Sequence, residues 1–373
     1  MRSGTAFSIK GMHFLVAALV LLSLFVGSIG SVQASGGNSG AVYTMTNSAT
    51  GNEIQVYERA EDGRLTPGGS FATGGFGTGS GLGSQGAIVL GQGLLFAVNA
   101  GSNELSAFDI DGNQLNLVDK ASSQGTRPIS ITYHDGLLYV LNAGNGGNIA
   151  GFRVSKNGHL AFIRGSVRPL SNNGVGDAPS PEEIGFSPNG RQLVVSEKGS
   201  NLIDTYDVVG GWAFGPIVNP SAGPAPYGFD FAKGNILVIS EAANSAVSTY
   251  RTTAKGLNVI SASLVDTQAA ACWLVVTSDG RYAYAANAAS GTVSGYRVHN
   301  NGELSLLRAD GINANTGSGS HPIDMGLSKG NNFLYVLTSG NNLINEFTAN
   351  PDGNLSAIGT VSAPAGATGL AAH

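Results

Sequence analysis

Four glutamates stand where their side chains could do acid–base chemistry together. Glu182 and Glu183 come just before one β-rich run, and Glu197 and Glu241 each end such a run. Clustered carboxylates raise one another's pKa, so one of them can stay protonated as a general acid. We therefore predict Glu182, Glu241 and His321 as catalytic residues for acid–base chemistry.

Two other uses of these carboxylates are open. They could be solvated side chains, or they could hold Ca²⁺ in a channel, since that ion takes about six to eight oxygen ligands. The run Asp109–Asn113 looks like the start of a calcium loop, but Lys120 stands where the closing glutamate belongs. A hairpin turn is therefore favoured there, and no other cofactor is expected.

Composition limits the class of protein. The chain has 373 residues, a formal net charge of -5, only 12% charged residues and 56 glycines. Such a composition suits many short strands joined by tight turns. The sequence shows no basic cluster, so we expect no nucleic-acid partner. Cys272 is the only cysteine, which rules out an internal disulfide and requires a large core for stability.

The chain begins with the pattern of a secretory signal. Arg2 and Lys10 precede an apolar stretch at 14–29. Val-Gln-Ala at 32–34 then places small residues at the two positions that a signal peptidase recognises. The stretch is shorter than the ~20 residues that span a bilayer. We expect removal of 1–34 and a secreted or periplasmic monomer without a membrane span.

The rest of the chain repeats one pattern seven times. Each copy has a β-rich run, a short polar turn, a second run and an Asx/Gly turn, with apolar and polar residues alternating as in a strand. Turns such as Asn157-Gly158 and Asp352-Gly353 are strong hairpin signals. The copies begin at Val42, Leu95, Leu138, Leu193, Leu237, Ala283 and Leu334.

A further strand precedes the later copies, so the unit has about four strands. Examples begin at Ala87 and Ile323. We predict an all-β fold in which 35–373 form one seven-bladed β-propeller of four-stranded antiparallel blades. A last strand within Ala367–His373 is expected to pair with the first blade, which closes the ring and hides two sheet edges.

These units, with their SPNG and SDG turns and LYVLN runs, resemble the lactonase family of seven-bladed propellers, which includes 6-phosphogluconolactonase-like enzymes and carboxymuconate cyclases. The resemblance covers essentially the whole mature chain. It implies a site in which Glu241 and the histidine of His321–Asp324 match family residues. The family's His-Pro-His-Gln run corresponds to Ser180–Glu183, which has no histidine, and its Arg-His pair corresponds to Pro226-Tyr227.

Two function classes follow. One is an exported lactone hydrolase or cyclase acting at the channel mouth, in which Glu241→Gln would abolish turnover and leave stability nearly unchanged. The other is a non-catalytic ligand- or protein-binding propeller of the cell envelope, which the lost histidines favour. Either would bind a small-molecule or carbohydrate-like ligand, and the side chains predicted to bind it are Asn99, Arg127, Asn142, Glu183, Glu197, Tyr227, Cys272, Trp273 and Asn287.

Overall fold

Thirty β-strands make up the regular structure of residues 40–373, the part of the chain that this computed structural model describes. The strands form seven antiparallel sheets, and no helix occurs between residues 40 and 373, so none there could cross a membrane. The prediction of an all-β, seven-bladed propeller is confirmed. The predicted signal at 1–34 lies outside the described residues.

The blades follow one another along the sequence. Blades 1 to 3 contain β1 (Gly40–Met45), β2 (Glu53–Arg59), β3 (Leu65–Ala72), β4 (Ile88–Gly91), β5 (Leu94–Asn99), β6 (Glu104–Asp111), β7 (Gln114–Ser122), β8 (Pro128–His134), β9 (Leu137–Asn142), β10 (Asn148–Val154), β11 (Leu160–Phe162) and β12 (Arg168–Pro169). Blades 4 and 5 contain β13 (Pro181–Phe186), β14 (Gln192–Glu197), β15 (Leu202–Val209), β16 (Trp212–Pro220), β17 (Pro226–Ala232), β18 (Ile236–Glu241), β19 (Ala246–Thr253) and β20 (Gly256–Val265). Blades 6 and 7 and the closing strand contain β21 (Ala271–Val276), β22 (Tyr282–Asn287), β23 (Thr292–Val298), β24 (Leu304–Leu306), β25 (Ala314–Asn315), β26 (Pro322–Leu327), β27 (Phe333–Thr338), β28 (Leu343–Ala349), β29 (Leu355–Ser362) and β30 (Thr368–Ala372).

In blades 2 to 7 the first strand in sequence is innermost and the last is outermost. Blade 2 has the order β4-β5-β6-β7, and blades 4, 5 and 7 repeat that order with their own strands. In blades 3 and 6 the outermost strand is broken into two short pieces, β11 with β12 and β24 with β25. Both pieces pair with the same third strand, so the four-stranded plan is kept.

The C-terminal strand β30 closes the ring, as predicted. It pairs antiparallel with β1, with Val42 opposite Ala372, and supplies the innermost strand of blade 1 in the order β3-β2-β1-β30. The innermost strands contact one another in turn, from β4 through β8, β13, β17, β21 and β26 to β30 and back to β4. Closure therefore leaves no blade without a neighbour.

Buried tyrosines join adjacent blades. The Tyr139 hydroxyl donates to the carbonyl of Gly211 in the next blade at 2.8 Å, and the Tyr335 hydroxyl donates to Gly63 at the same distance. Gly63 has a φ of +87°, and a Cβ there would lie 2.3 Å from the Phe333 ring. Only glycine fits this turn, because the turn is part of the contact between blades.

The free edges of the seven innermost strands face the central channel. A buried backbone N–H without a partner costs about 1–3 kcal/mol. In several inner strands, the N–H at one equivalent position donates to a side chain of the preceding blade. The pairs are Ile184 N–H to Ser130 Oγ at 3.2 Å, Phe229 N–H to Glu183 Oε2 at 2.6 Å, and Leu370 N–H to Asp324 Oδ2 at 3.0 Å.

Blade 5 departs from this rule because Gly228 stands where Ser130 and Glu183 stand in their blades. Gln85, from the loop before β4, supplies the missing groups to blade 6. Its Oε1 accepts from the Leu274 N–H at 2.8 Å, and its Nε2 donates to the Leu274 carbonyl at 2.7 Å. A Cβ at Gly228 would lie 2.3 Å from Gln85 Oε1. The glycine therefore makes room for the glutamine.

Three carboxyl groups of the inner strands have raised pKa values. Burial raises the pKa of Asp230 to about 6, although the N–H groups of Val276 and Phe231 lower it in part. Burial also raises the pKa of Glu183 and of Asp324 well above the ordinary values. The lost hydration therefore outweighs the hydrogen bonds, and folding disfavours the ionised forms.

We expect the protein to be more stable in mild acid than at neutral pH. A carboxyl whose pKa is raised on folding contributes stability that is complete below the unfolded value, 3.8 for Asp230, and is lost as pH rises through the folded value of about 6. Scanning calorimetry of the mature chain should show Tm falling by about 5 °C between about pH 4.5 and about pH 7.5. A Tm that rises over this interval would contradict the argument.

Candidate functional site

The residue before the innermost strand has the same geometry in five blades. Its φ is positive, which is uncommon for residues other than glycine. Its carbonyl accepts from the residue that follows the second strand, as when the Lys198 N–H donates to Ser180 at 3.0 Å. The repeated geometry fixes which residues are equivalent around the mouth. The five positions are Arg127, Ser180, Ala225, Ala270 and His321.

This geometry shows which of the predicted site residues are equivalent. Arg127 and His321 share one position, just before the strand, whereas Glu182, Tyr227 and Cys272 share a position two residues further along. The pairing register shifts around that later position, which leaves its residue in a bulge. Bulges change the direction of a side chain, and spacing alone does not reveal them.

Glu182 is the centre of a polar cluster between blades 4 and 5. Lys198 Nζ lies 2.5 Å from Glu182 Oε1 and 5.2 Å from the centroid of the Tyr227 ring. The Tyr227 hydroxyl also interacts with the Glu182 carboxylate and donates to the Gly83 carbonyl at 2.5 Å. The Glu182 side chain is 5% exposed and that of Lys198 is 40% exposed, so the lysine is the solvent-facing member.

Burial raises the pKa of Glu182 to about 7, although Lys198, Tyr227 and Arg127 lower it in part. A carboxyl with this pKa populates both protonation states at neutral pH, as a general acid or base must. Burial and the neighbouring Glu182 charge raise the pKa of Tyr227 well above its usual value. Tyr227 therefore stays neutral and can donate a hydrogen bond.

Cys272 and Trp273 extend the cluster into blade 6. Burial, and then the charge of Glu182, raise the pKa of Cys272 to about 12, so the thiol stays protonated and is a poor nucleophile. Trp273 packs edge to face on Tyr227, with ring centroids 5.0 Å apart. The structure thus brings four of the predicted residues together at the channel mouth.

The glycine-rich segment Leu82–Gly86, here called the mouth segment, crosses this end of the channel. Gly83 and Gly86 have φ values of +66° and +76°, which allow its sharp path. Its contacts reach blades 3 to 6: Ser84 Oγ to Ile129 O at 2.8 Å, Gln85 N to Glu182 O at 3.2 Å, Tyr227 Oη to Gly83 O, and Trp273 Nε1 to Ser84 O at 3.0 Å.

A pocket of about 350 Å³ opens beside the mouth segment, between blades 3 and 4. Arg127, Lys198, Glu182 and Asp177 line it. Its size falls within the range of small-molecule sites. The sequence analysis did not predict Lys198. It directly follows Glu197, so a comparison of strand ends that was extended by one residue would have found it.

The residues that end the second strands lie inside the blades. Glu241 accepts from Ser248 Oγ and Ser263 Oγ, both at 2.5 Å. Glu197 accepts from the Ser171 N–H at 3.0 Å. All of these strand-end residues are fully buried, and the geometry supports a structural role rather than a place in the pocket. The equivalent amides, which donate within their own blades, are Asn99, Asn142 and Asn287.

Glu183 and His321 are also apart from the pocket. Glu183 points to blade 5, where it accepts from Phe229. His321 is exposed, and its Nδ1 lies 3.1 Å from the Ala288 carbonyl. No hydrogen bond or ion pair among residues 40–373 joins His321 to Glu182. Of the three predicted catalytic residues, only Glu182 lines the pocket.

The acidic side chains predicted as possible calcium ligands do not cluster in the described part of the chain. In the range 40–373 no three His, Cys, Asp or Glu side chains come together in a way that could hold a metal ion. Asp109–Asn113 includes the end of β6 and its turn into β7, where Asp111 pairs with Gln114. The geometry there is that of a hairpin.

We expect Glu241→Ala to destabilise the fold. The change removes the acceptor of two buried serines and leaves a cavity, at a cost of about 2–4 kcal/mol. Urea unfolding would measure it, with Glu58→Ala, at an exposed site on β2, as the matched control. A midpoint equal to that of the control would refute the structural role. Full burial of Glu241 already argues against the expectation that a change there is neutral for stability.

Comparison with protein families supports the architecture independently. The family model described as "Lactonase, 7-bladed beta-propeller" matches residues 41–213 and 221–368. The matched residues make up most of the chain and extend from β1 to the start of β30. A search of curated proteins found no significant match.

Solved structures with the same fold include two described as lactonases. A candidate 6-phosphogluconolactonase from Bacteroides fragilis superposes with a TM-score of 0.71 at 18% identity, covering 90% of this chain and 99% of that one. The periplasmic gluconolactonase of Pseudomonas aeruginosa gives 0.69 at 17% identity, covering 89% and 98%. At such identities the similarity concerns the fold.

Proposed function

Because the chain belongs to the lactonase family of seven-bladed β-propellers, we propose that its mouth pocket binds and hydrolyses a small lactone. The observation that carries the proposal is the buried Glu182, whose pKa is about 7, held 2.5 Å from Lys198 in a pocket that Arg127 also lines. Cations beside a carboxyl suit the negative charge that develops on an acyl oxygen during hydrolysis.

The proposed reaction uses Glu182 first as a base and then as an acid. Its carboxylate takes a proton from water while the water oxygen bonds to the lactone carbonyl carbon. The carbonyl oxygen becomes an oxyanion, which Lys198 and Arg127 stabilise. The bond between the acyl carbon and the ring oxygen then breaks, and the ring oxygen receives the proton from Glu182. The product is the open hydroxy acid, and the carboxylate is regenerated.

The pocket favours a small polar substrate. A volume of about 350 Å³ is near the lower end for ligand sites, and charged side chains form much of its wall. Leu82 and Gly83 of the mouth segment line the pocket, and the Gly83 carbonyl accepts from the Tyr227 hydroxyl. Two similar structures are described as a gluconolactonase and a candidate 6-phosphogluconolactonase, which supports sugar lactones as the first compounds to test.

We further propose that the mature protein acts outside the cytoplasm. The order of basic residues, apolar stretch and small residues within 1–34 supports export. A similar structure is described as periplasmic. The lack of a possible internal disulfide is compatible with export because the closed ring supplies a large core.

Export should leave a mature chain that begins at Ser35. Mass spectrometry of the protein recovered from the periplasm or medium of an expressing bacterium would identify this terminus. As a control, Ala34→Arg should block cleavage, because signal peptidase requires a small residue there. Recovery of the intact chain in the cytoplasm would refute export.

Glu182→Gln should lower kcat/KM for lactone hydrolysis about 100-fold or more, since glutamine cannot accept the proton from water. Its similar size keeps the contact with Lys198. Hydrolysis of neutral and acidic sugar and aromatic lactones would be followed at constant pH, with the spontaneous rate subtracted. Glu303→Gln, at an exposed glutamate in blade 6, is the matched control and should retain full activity.

The outcomes separate the two function classes. Turnover that is lost in Glu182→Gln but kept in Glu303→Gln supports the hydrolase. Turnover that survives in Glu182→Gln refutes its role as the base. A wild-type protein that binds lactones saturably without turnover is a binding propeller, and the hydrolase proposal then fails.

A further inference from the structure

The outer edges of blades 3 and 4 carry a basic and aromatic surface away from the mouth pocket. Although the chain has a net charge of -5, it contains no acidic residue between Asp135 and Asp177. Blade 3, which occupies most of that stretch, is therefore a positive region in an acidic protein. We call the surface the arginine–aromatic patch, and it consists of Arg153, Arg164, Arg168, Trp212 and Phe214.

Two arginines of the patch lie over aromatic rings. The guanidinium of Arg153 is 5.9 Å from the centroid of the Trp212 ring, and that of Arg168 is 5.8 Å from that of Phe214. Trp212 and Phe214 are two residues apart on β16, so their side chains leave the same face about 7 Å apart. Stacking orients each planar guanidinium and leaves N–H groups at its edge free to bind.

No carboxylate neutralises these arginines within the described chain. Arg153 donates to the Gly210 carbonyl and Arg168 to the Val167 carbonyl, each at 2.8 Å. None of the ion pairs found in residues 40–373 includes an arginine of the patch. The patch therefore presents oriented cations that lack a partner of opposite charge.

Blade 6 shows that the fold does not require the patch. It repeats the broken outermost strand of blade 3, and Arg297 on β23 matches Arg153 on β10. Ala314 stands at the register position of Arg168. Blade 6 also places Asp310 within 3.8 Å of Arg308, so a charge that is unpaired in blade 3 is paired there.

The strand that packs beside each of these blades differs in the same way. In blade 7, Asn354, just before β29, stands at the position that Trp212 holds on β16, and Ser356 stands at that of Phe214. Blades 6 and 7 thus have the same backbone, but they lack the arginine at the position of Arg168 and the aromatic rings at the positions of Trp212 and Phe214. The patch is an addition to the scaffold.

We propose that the arginine–aromatic patch binds an acidic polysaccharide, a chain of sugar rings that bear carboxylates. Guanidinium groups pair with carboxylates through two parallel hydrogen bonds. Trp212 is 39% exposed and Phe214 is 53% exposed, so both rings keep open surface for the apolar faces of sugar rings. An exposed sheet edge suits an extended polymer better than a small molecule.

An acidic peptide fits the patch less well. A peptide could add to the outer edge of β16, which pairs only with β15. However, Pro216 and Pro220 have no N–H to donate, so a strand added there would lack part of its hydrogen-bond ladder. A ligand must therefore be recognised by the side chains of the patch and not by the backbone edge. A polysaccharide can be bound in this way.

The test transplants the residues of blades 6 and 7 into the patch. A triple variant with Arg168→Ala, Trp212→Asn and Phe214→Ser should fold, because the same residues occupy the same positions elsewhere in this chain. Its affinity for polygalacturonate, measured by affinity electrophoresis and calorimetry, should fall by about tenfold or more, which is about 1.4 kcal/mol. Arg297→Ala removes one cation from the matched position in blade 6 and should bind as the wild type does.

Binding by the wild type should weaken with added salt, and neutral dextran should not bind. Hydrolysis of lactones at the mouth should be the same in the triple variant, so this result does not depend on the proposed activity. Equal affinity of the wild type and the triple variant would overturn the proposal. Tighter binding of poly-glutamate would overturn it in favour of an acidic protein, and tighter binding of duplex DNA in favour of a phosphate polymer.

Discussion

The unpaired inner edges of seven strands are the constraint on which the rest of this structure depends. A ring of blades leaves seven backbone edges facing one narrow channel, where pairing with another strand cannot satisfy them. The chain satisfies them with side chains that reach from one blade to the next, as Glu183 does to Phe229 and Asp324 to Leu370. These contacts require carboxyl groups in a site poor in water, which is why their pKa values are raised.

The candidate site is a consequence of a place where this solution fails. Gly228 offers blade 6 no side chain, and Gln85 takes over by hydrogen bonding to Leu274. To reach that place, the mouth segment must cross the channel, and its carbonyl at Gly83 then holds the Tyr227 hydroxyl beside the Glu182 cluster. A backbone requirement in the channel thus closes the inner wall of the pocket.

The sequence predicts the architecture well because the repeat is visible in it. Strand periodicity, hairpin turns and a C-terminal run that completes blade 1 are all local signals, and each is confirmed. The site was harder to predict because it depends on a bulge at Glu182 and on the long reach of Gln85, neither of which leaves a local pattern. Glu241 shows the opposite error, since an acidic residue at a strand end looked exposed but is enclosed by two serines.

The repeat also separates scaffold from function. Where blades agree, as in the buried residues that end the second strands, the shared contacts are the ones that build a blade. Both proposals depend instead on departures from the repeat. Among blades 2 to 7, Lys198 is a charged residue at a position where Ala or Ser otherwise stands, and Glu182 is an ionisable carboxyl where the equivalent residues are uncharged at neutral pH. The arginine–aromatic patch departs in the same sense from blades 6 and 7. Other blades fold in the same way without these charges. A buried or unpaired charge of this kind is therefore best explained by a ligand that it binds. The equivalents of Lys198 are Ala100, Ala143, Ala242, Ala288 and Ser339, and those of Glu182 are Ile129, Tyr227, Cys272 and Ile323.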